Sequence, residues 1–231
     1  MHKKSLEISE KLGLLEVMAS DYDNLGLIYQ TRGELDKAEE MHKKALEINE
    51  RIGQQEGMAN QYGNLGLIYE TKGELDKAEE MHKKSLEIDE KFGKLEGMAK
   101  VYGNLSIIYG KRGELDKAEE MLKKSLEINE KLGLLEGMAN DYGNLGVVYQ
   151  KRGELDKAEE MHKKSLEINE RIGQQEGMAI QYSSLGMVYK WRGDFGKAKE
   201  YWEKARDLFK KIGILNMVKK VEGGIEEIKE K

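Results

Sequence analysis

The phrase Gly-Glu-Leu-Asp-Lys-Ala-Glu-Glu begins at Gly33, Gly73, Gly113 and Gly153, and a degraded copy, Gly-Asp-Phe-Gly-Lys-Ala-Lys-Glu, begins at Gly193. The period is 40 residues without a slip. Self-similarity at such a period marks an array of stacked supersecondary units, each of which buries its apolar face only against its neighbours. The hydrophobic share of 39% is low for a single core in a chain of 231 residues and suits a thin, elongated one. There is no proline to break a helix by removing a backbone donor.

Residues 59–98 show the design of one unit. Met58, Tyr62, Leu65 and Tyr69 fall at i, i+4, i+7 and i+11, one face of an α-helix. Gly73 is expected to end that helix as a left-handed cap. Asp76 is the expected N-cap of the next helix, with Glu79 completing a capping box. Leu75, Ala78, His82 and Ser85 follow at helical spacing, Met81, Leu86, Ile88 and Phe92 widen the apolar side, and Gly93 closes the second helix. The unit is thus two antiparallel helices of about four to five turns each. Neither buries its stripe alone, so the units must stack.

Tyr62-x-x-Leu65-Gly66-x-x-Tyr69, then Gly73, then Ala78, resembles the tetratricopeptide (TPR) signature. Tyr62 stands where the family often has tryptophan, His82 where it often has a larger aromatic, and Glu90 where it has a closing proline. The usual unit has about 34 residues, so this one is about six longer, the extra length falling around Gly93 to Met98. It is similar to the long-repeat arrays of kinesin light chains and spindle-orientation adaptors, and similar arrays occur beside nucleotide-binding switch domains in bacterial proteins. The resemblance implies an all-α, right-handed superhelical solenoid of antiparallel helix pairs, one domain that holds a protein or peptide ligand in its concave groove.

The expected units are 19–58, 59–98, 99–138, 139–178 and 179–218. Residues 1–18 read as the second helix of a preceding, truncated unit. Residues 219–231 read as a capping first helix with Val221, Ile225 and Ile228 as its stripe. A longer period is also present. Lys-Leu-Gly-Leu-Leu-Glu occurs at Lys11 and Lys131, and Arg-Ile-Gly-Gln-Gln-Glu-Gly-Met-Ala at Arg51 and Arg171, both 120 residues apart. A three-unit block was duplicated, so equivalent surfaces should recur three units apart.

Several function classes are disfavoured. Cysteine is absent, which removes disulfides, thiolate metal sites and cysteine nucleophiles. No apolar run approaches the roughly 20 residues of a membrane span, and the N-terminus has no apolar signal region, so a cytoplasmic location with no membrane partner is expected. Net charge is −5 with the two signs interspersed, and the lack of a basic stripe argues against nucleic acid. Glu39, Glu40, Lys43 and Lys44, with their repeats, read as i, i+4 pairs on a solvated face. No isolated acid–base pair, nucleophile elbow or strand-associated phosphate loop stands out, since Gly63-Asn64-Leu65-Gly66 belongs to a helix. The expectation is no enzyme and no cofactor. His2, His42, His82 and His162 recur one per unit, with Leu122 and Trp202 at the same position elsewhere. That reads as packing rather than a metal site, which needs converging ligands.

The candidate ligand contacts lie on the first helix of each unit, which lines the concave face in TPR arrays. Asn24, Asn64, Asn104 and Asn144 stand in register, although asparagine is a mediocre helix former. Its amide can clamp an extended peptide backbone, and asparagines of kinesin light chains resemble such a ladder. An internal bond to the neighbouring helix, or inheritance from duplication, explains the series equally well. Gly63, Gly103 and Gly143 precede three of them, for close helix contact or as an open groove floor. Leu27, Leu67, Ile107, Val147 and Met187 are either core, the favoured reading, or an apolar strip along the groove. Trp191, whose counterparts are Thr31, Thr71, Lys111 and Lys151, is either a ligand anchor or packing at an irregular terminal unit. These counterparts at Lys111 and Lys151 join the candidate face. A chaperone-type carboxylate clamp is disfavoured, because Asp23, Gly63, Gly103, Gly143 and Ser183 stand where basic residues would be needed.

Two other roles compete with a scaffold: a regulatory or oligomerisation segment of a larger protein, and an idealised repeat protein. A homodimer through the N-terminal helix is expected, since Leu6, Ile8 and Leu12 lack a partner helix there.

Overall fold

The computed structural model describes Leu6, Ile8, Ser9 and residues 11–229. Among these residues there are eleven helices and no strand, and consecutive helices pack as pairs in an all-α repeat array. The chain divides into two compact units, Met1–Arg112 and Gly113–Lys231. The first holds α1 (Leu15–Thr31), α2 (Leu35–Ile52), α3 (Gln55–Lys72), α4 (Leu75–Phe92) and α5 (Leu95–Arg112). The second holds α6 (Leu115–Leu132), α7 (Leu135–Arg152), α8 (Leu155–Ile172), α9 (Gln175–Trp191), α10 (Phe195–Lys211) and α11 (Leu215–Lys229).

The helix ends follow glycine chemistry. Gly73 has φ of 78°, which costs a residue without Cβ nothing. The reversal lets Glu74 N–H reach back to the Tyr69 carbonyl at 2.8 Å, so the last turn's orphan carbonyl is satisfied. Only two residues separate α3 from α4, and the pair is antiparallel: Ser85 Oγ donates to the Ala59 carbonyl at 2.9 Å near one end, while Gly66 meets His82 nearer the turn.

The expected capping box is not formed. The N-cap of α4 is Glu74, with no side-chain cap bond, and Asp76 already lies inside the first turn. Glu79 is drawn instead toward α5, where the Tyr109 hydroxyl donates to it at 2.8 Å and Arg112 pairs with it. A charge-assisted pair across two helices outcompetes a local cap. Asp194, by contrast, does cap α10, accepting from the Lys197 N–H at 3.0 Å.

The unit's extra length lies in the helices. Leu95 to Met98 form the first turn of α5. First helices therefore begin four residues ahead of the sequence-based unit boundaries, because a helix restarts directly after each left-handed glycine. The last first helix likewise starts at Leu215, and its stripe of Val221, Ile225 and Ile228 is buried against Trp202 and Phe209. At the other end Leu6 is half-buried while Ile8 and Leu12 are exposed. Residues 1–5, 7 and 10 of the expected N-terminal helix, with His2 among them, lie outside the described residues.

One ionic motif joins four of the second helices, α2, α4, α6 and α8, to the next first helix. Glu39 takes Tyr69 at 2.9 Å and Lys72 at 2.5 Å, and Lys72 also reaches Asp36 at 2.7 Å. Glu79 repeats this with Tyr109 and Arg112 in the first unit, as do Glu119 with Tyr149 and Arg152, and Glu159 with Tyr189 and Arg192, in the second. Burial pushes the Glu79 carboxyl up, but hydrogen bonds from Lys83, Arg112 and Tyr109 outweigh it and hold the pKa at about 2. This half-buried carboxylate series is structural glue rather than a fully solvated face.

Candidate ligand-binding face

In the first unit the exposed side of α3 and α5 carries the candidate residues. Leu65, Ile68, Leu105 and Ile108 take the core positions of these helices. Leu67 and Ile107 lie about a quarter-turn away, at roughly 100° per residue, and are not core. Ile107 is 38% exposed, Leu67 is half-buried, and Leu27 on α1 is exposed. The favoured core reading therefore fails for Leu27, Ile107 and Val147, whereas Met187 does pack against the C-terminal core.

The asparagines beside it are half-buried. Asn64 Nδ2 donates to Asp23 Oδ1 on α1 at 3.2 Å, the internal bond that competes with a ligand. Among the described residues Asn104 has no such bond. Burial pushes the Asp23 carboxyl up, but bonds from His42, Gln61 and Asn64 hold it below its usual range. Lys111 closes the face at one end, its Nζ 2.8 Å from Glu70 Oε1.

The glycines separate by unit. A Cβ on Gly103 would meet nothing within 4 Å, and one on Gly63 only Ser85 Oγ at 3.9 Å, so close helix contact does not account for them. Gly143, in the second unit, would meet Gln181 Nε2 at 2.9 Å and is a packing glycine.

In the second unit, Asn144 is half-buried, Val147 is 40% exposed, Lys151 is exposed, and Trp191 is 52% exposed. Ser184 replaces the asparagine, and its carbonyl accepts from Gln150 Nε2 at 3.2 Å. The Ser183 carbonyl accepts from Trp202 Nε1 at 3.0 Å. Trp202 packs in the core, whereas Trp191 stands out on the surface.

The histidines are packing residues. His42, His82 and His162 are fully buried, each ring pressed on a glycine of the preceding helix, Gly26, Gly66 or Gly146. His42 Nδ1 lies 2.8 Å from Gln61 Oε1, and His162 Nδ1 lies 2.9 Å from Gln181 Oε1. His82 has Val101 in the matching place, and neither ring nitrogen finds a partner. Burial and the Lys100 charge lower its pKa to about 4. Gln61, Gln181 and Asp141 share this buried register and were missed by sequence reasoning. The available signal was the residue 19 positions after each histidine: Gln61, Val101 and Gln181.

Helix pairs of this signature, stacked at a 40-residue period, define a helical-repeat array. The tetratricopeptide repeat family matches over residues 14–91, 57–131 and 97–171, and again over 179–212, and the chain belongs to that family. Among solved structures it is similar to BtubC (BKLC) from P. vanneervenii, at 26% identity and TM-score 0.80, covering 92% of this chain and 89% of that one. It is also similar to a Signal Transduction ATPase with Numerous Domains from Pyrococcus horikoshii with a tetratricopeptide repeat sensor, at 24% identity and TM-score 0.79, covering 89% of this chain and 32% of that one. A putative kinesin light chain of Podosopora anserina with nearly identical TPR-like repeats is similar at 20% identity and TM-score 0.67, covering 84% and 95%. The last two likenesses concern the fold alone. Among curated proteins, none matches the chain. A tetratricopeptide array is consistent with a protein–protein interaction scaffold, and members of the family are generally non-enzymatic. No helix among the described residues is long and apolar enough to cross a membrane.

Proposed function

We infer that this chain is a scaffold that holds an extended peptide segment of a partner protein against the exposed side of its first helices. The observation that carries the reading is the open space over Gly63 and Gly103 beside an unspent amide at Asn104. A glycine inside a helix costs about 1 kcal/mol against alanine, and packing does not account for these two. Open glycines let a ligand backbone approach, Asn64 and Asn104 offer it a donor and an acceptor, and Leu67 and Ile107 offer apolar contact. Asn24, Asn144, Val147, Lys111, Lys151 and Trp191 extend the same chemistry along the first helices of their own units. The reading places α3 and α5 at its centre.

The experiment is selection of peptides on the intact chain from a random library, followed by titration of the tightest binder. Asn64→Ala with Asn104→Ala should weaken it by roughly 1–3 kcal/mol, since each lost amide strands a ligand backbone group. Gly103→Leu should abolish binding by filling the floor. Unchanged affinity in both variants rules the reading out.

The exposure of Ile8 and Leu12 supports self-association through the N-terminal segment as well. Light scattering should show a concentration-dependent dimer that Leu6→Glu with Leu12→Glu converts to monomer. A wild-type chain that stays monomeric at high concentration removes the idea.

A further inference from the structure

The register held by Gln61, Val101, Asp141 and Gln181 faces the second helix before it. Where that helix offers histidine, a glutamine answers it in two places. Opposite Asp141 stands Leu122, which offers no hydrogen bond. The Asp141 carboxylate turns along α6 instead. Its Oδ2 accepts from Ser125 Oγ at 2.9 Å and from Asn129 Nδ2 at 2.7 Å, and Asn129 Nδ2 also lies 3.3 Å from Ser125 Oγ. Asp141 is 3% exposed.

The charged groups on the packed helices are committed to other partners. On α6, Glu130 accepts from Tyr142 at 3.2 Å, and Glu119 holds Tyr149, Arg152 and Lys123. On α8, His162 faces Gln181 of α9, Glu159 holds Tyr189, Arg192 and Lys163, and Lys164 sits over the Tyr142 ring. Asp141 is therefore a buried acid whose two donors are both neutral. An anion there loses its hydration with no cation to compensate, whereas the protonated acid keeps a neutral network.

We propose that the Asp141–Ser125–Asn129 cluster is a proton-operated latch on the α6–α7 junction, closed when Asp141 carries its proton and loosened when it is ionised. Burial raises the carboxyl to a pKa of about 6, against the opposing pull of its bonds from Asn129 and Ser125. The folded-state pKa lies above the ordinary aspartate value of 3.8, so the stabilising contribution is complete below 3.8 and fades as pH rises through about 6. Mild acidification thus tightens this junction. Asn144 and Val147 ride on the same helix one and two turns further on, so the latch sets how firmly that stretch of surface is held.

The test is a carbon-13 titration of the Asp141 side-chain carboxyl in the intact chain, together with amide exchange of α6 and α7 at pH 7 and pH 5, corrected for intrinsic rates. The expected midpoint is about 6. The opening equilibrium of α6–α7 should fall roughly tenfold from pH 7 to pH 5. Asp141→Asn, which keeps the shape but cannot ionise, should show strong protection at both pH values. A midpoint near 3.8 overturns the proposal, as does an Asn variant with the wild-type pH dependence. The carboxyl titration needs no variant, so a misfolded substitution cannot mask the result.

Discussion

Nδ1 of His42 lies 2.8 Å from Oε1 of Gln61, and the same pair returns as His162 and Gln181 at 2.9 Å. The two pairs are 120 residues apart, the spacing of the duplicated three-unit block, so the duplication carried a buried polar contact with it. Between them His82 faces Val101 and keeps two unpaired nitrogens. Gln61→Val should therefore cost about 1–2 kcal/mol, because it removes the nearer acceptor of the buried His42 ring and leaves only Asp23 Oδ1 at 3.3 Å. Val101→Gln should be neutral or stabilising, because it supplies the missing partner. Urea denaturation of the two variants compares them directly, and equal losses would show that the pairing carries no stability.

Glycines of one helix should respond with opposite signs. A Cβ on Gly66 would sit 2.6 Å from the His82 ring, closer than real atoms approach, and the ring is fully enclosed. Gly66→Ala should cost about 2 kcal/mol or more through overpacking. Gly63→Ala meets only Ser85 Oγ at 3.9 Å and should gain about 0.5–1 kcal/mol of helix propensity. If thermal unfolding ranks the two variants the other way, the open floor over Gly63 does not exist.

The stripe of Tyr62, Leu65 and Tyr69 was legible in the sequence because one helix face is a local pattern, and so were the glycine turns, which need only a left-handed residue. The burial of His42, His82 and His162 followed from Leu122 and Trp202 sharing their position. The capping box was misread because Asp76 and Glu79 fit a local rule while Tyr109 and Arg112, some 30 residues on, claim Glu79 instead. Of the two readings open for Ile107, the core one fails because an apolar residue between Leu105 and Ile108 looks like core until the neighbouring helix is placed. The Gln61–His42 contact joins two helices across a stacking interface, and no spacing within either helix announces it. The Asn64–Asp23 bond likewise joins two first helices, and the in-register spacing of the asparagines does not announce it.

The carboxylate clamps between successive helices should carry the array's resistance to acid. Glu79 and Arg112 are each less than a quarter exposed, so screening by salt is modest. A Glu79 pKa of about 2 lies below the ordinary glutamate value of 4.5, so its stability is present above 4.5 and lost as pH falls toward 2. Glu79→Gln should cost about 1–3 kcal/mol at pH 7 and little at pH 2. A loss that persists undiminished at pH 2 would mean the side chain acts through packing alone.

His82 carries the opposite titration to Asp141. Burial first, and then the nearby Lys100 charge, lower it from 6.5 to about 4. The neutral ring's contribution is therefore complete above pH 6.5 and is withdrawn as pH falls toward 4, where the unfolded chain takes up the proton more readily. Ser106 and Leu122 hold the sequence positions of Gly66 and His82 one repeat on, so the chain itself uses a non-titrating residue at this register. The paired substitution Gly66→Ser with His82→Leu should keep the helical fold, and it removes the titrating group. Between pH 7 and pH 4.5 the wild-type chain should lose about 2 kcal/mol at this site that the paired variant retains. Denaturant midpoints at the two pH values, followed by exchange at amides of α3 and α4, measure the difference. The same acid loss in both chains would place the sensitivity elsewhere, whereas a variant that unfolds at pH 7 would show that the enclosed site around His82 does not accept serine and leucine together.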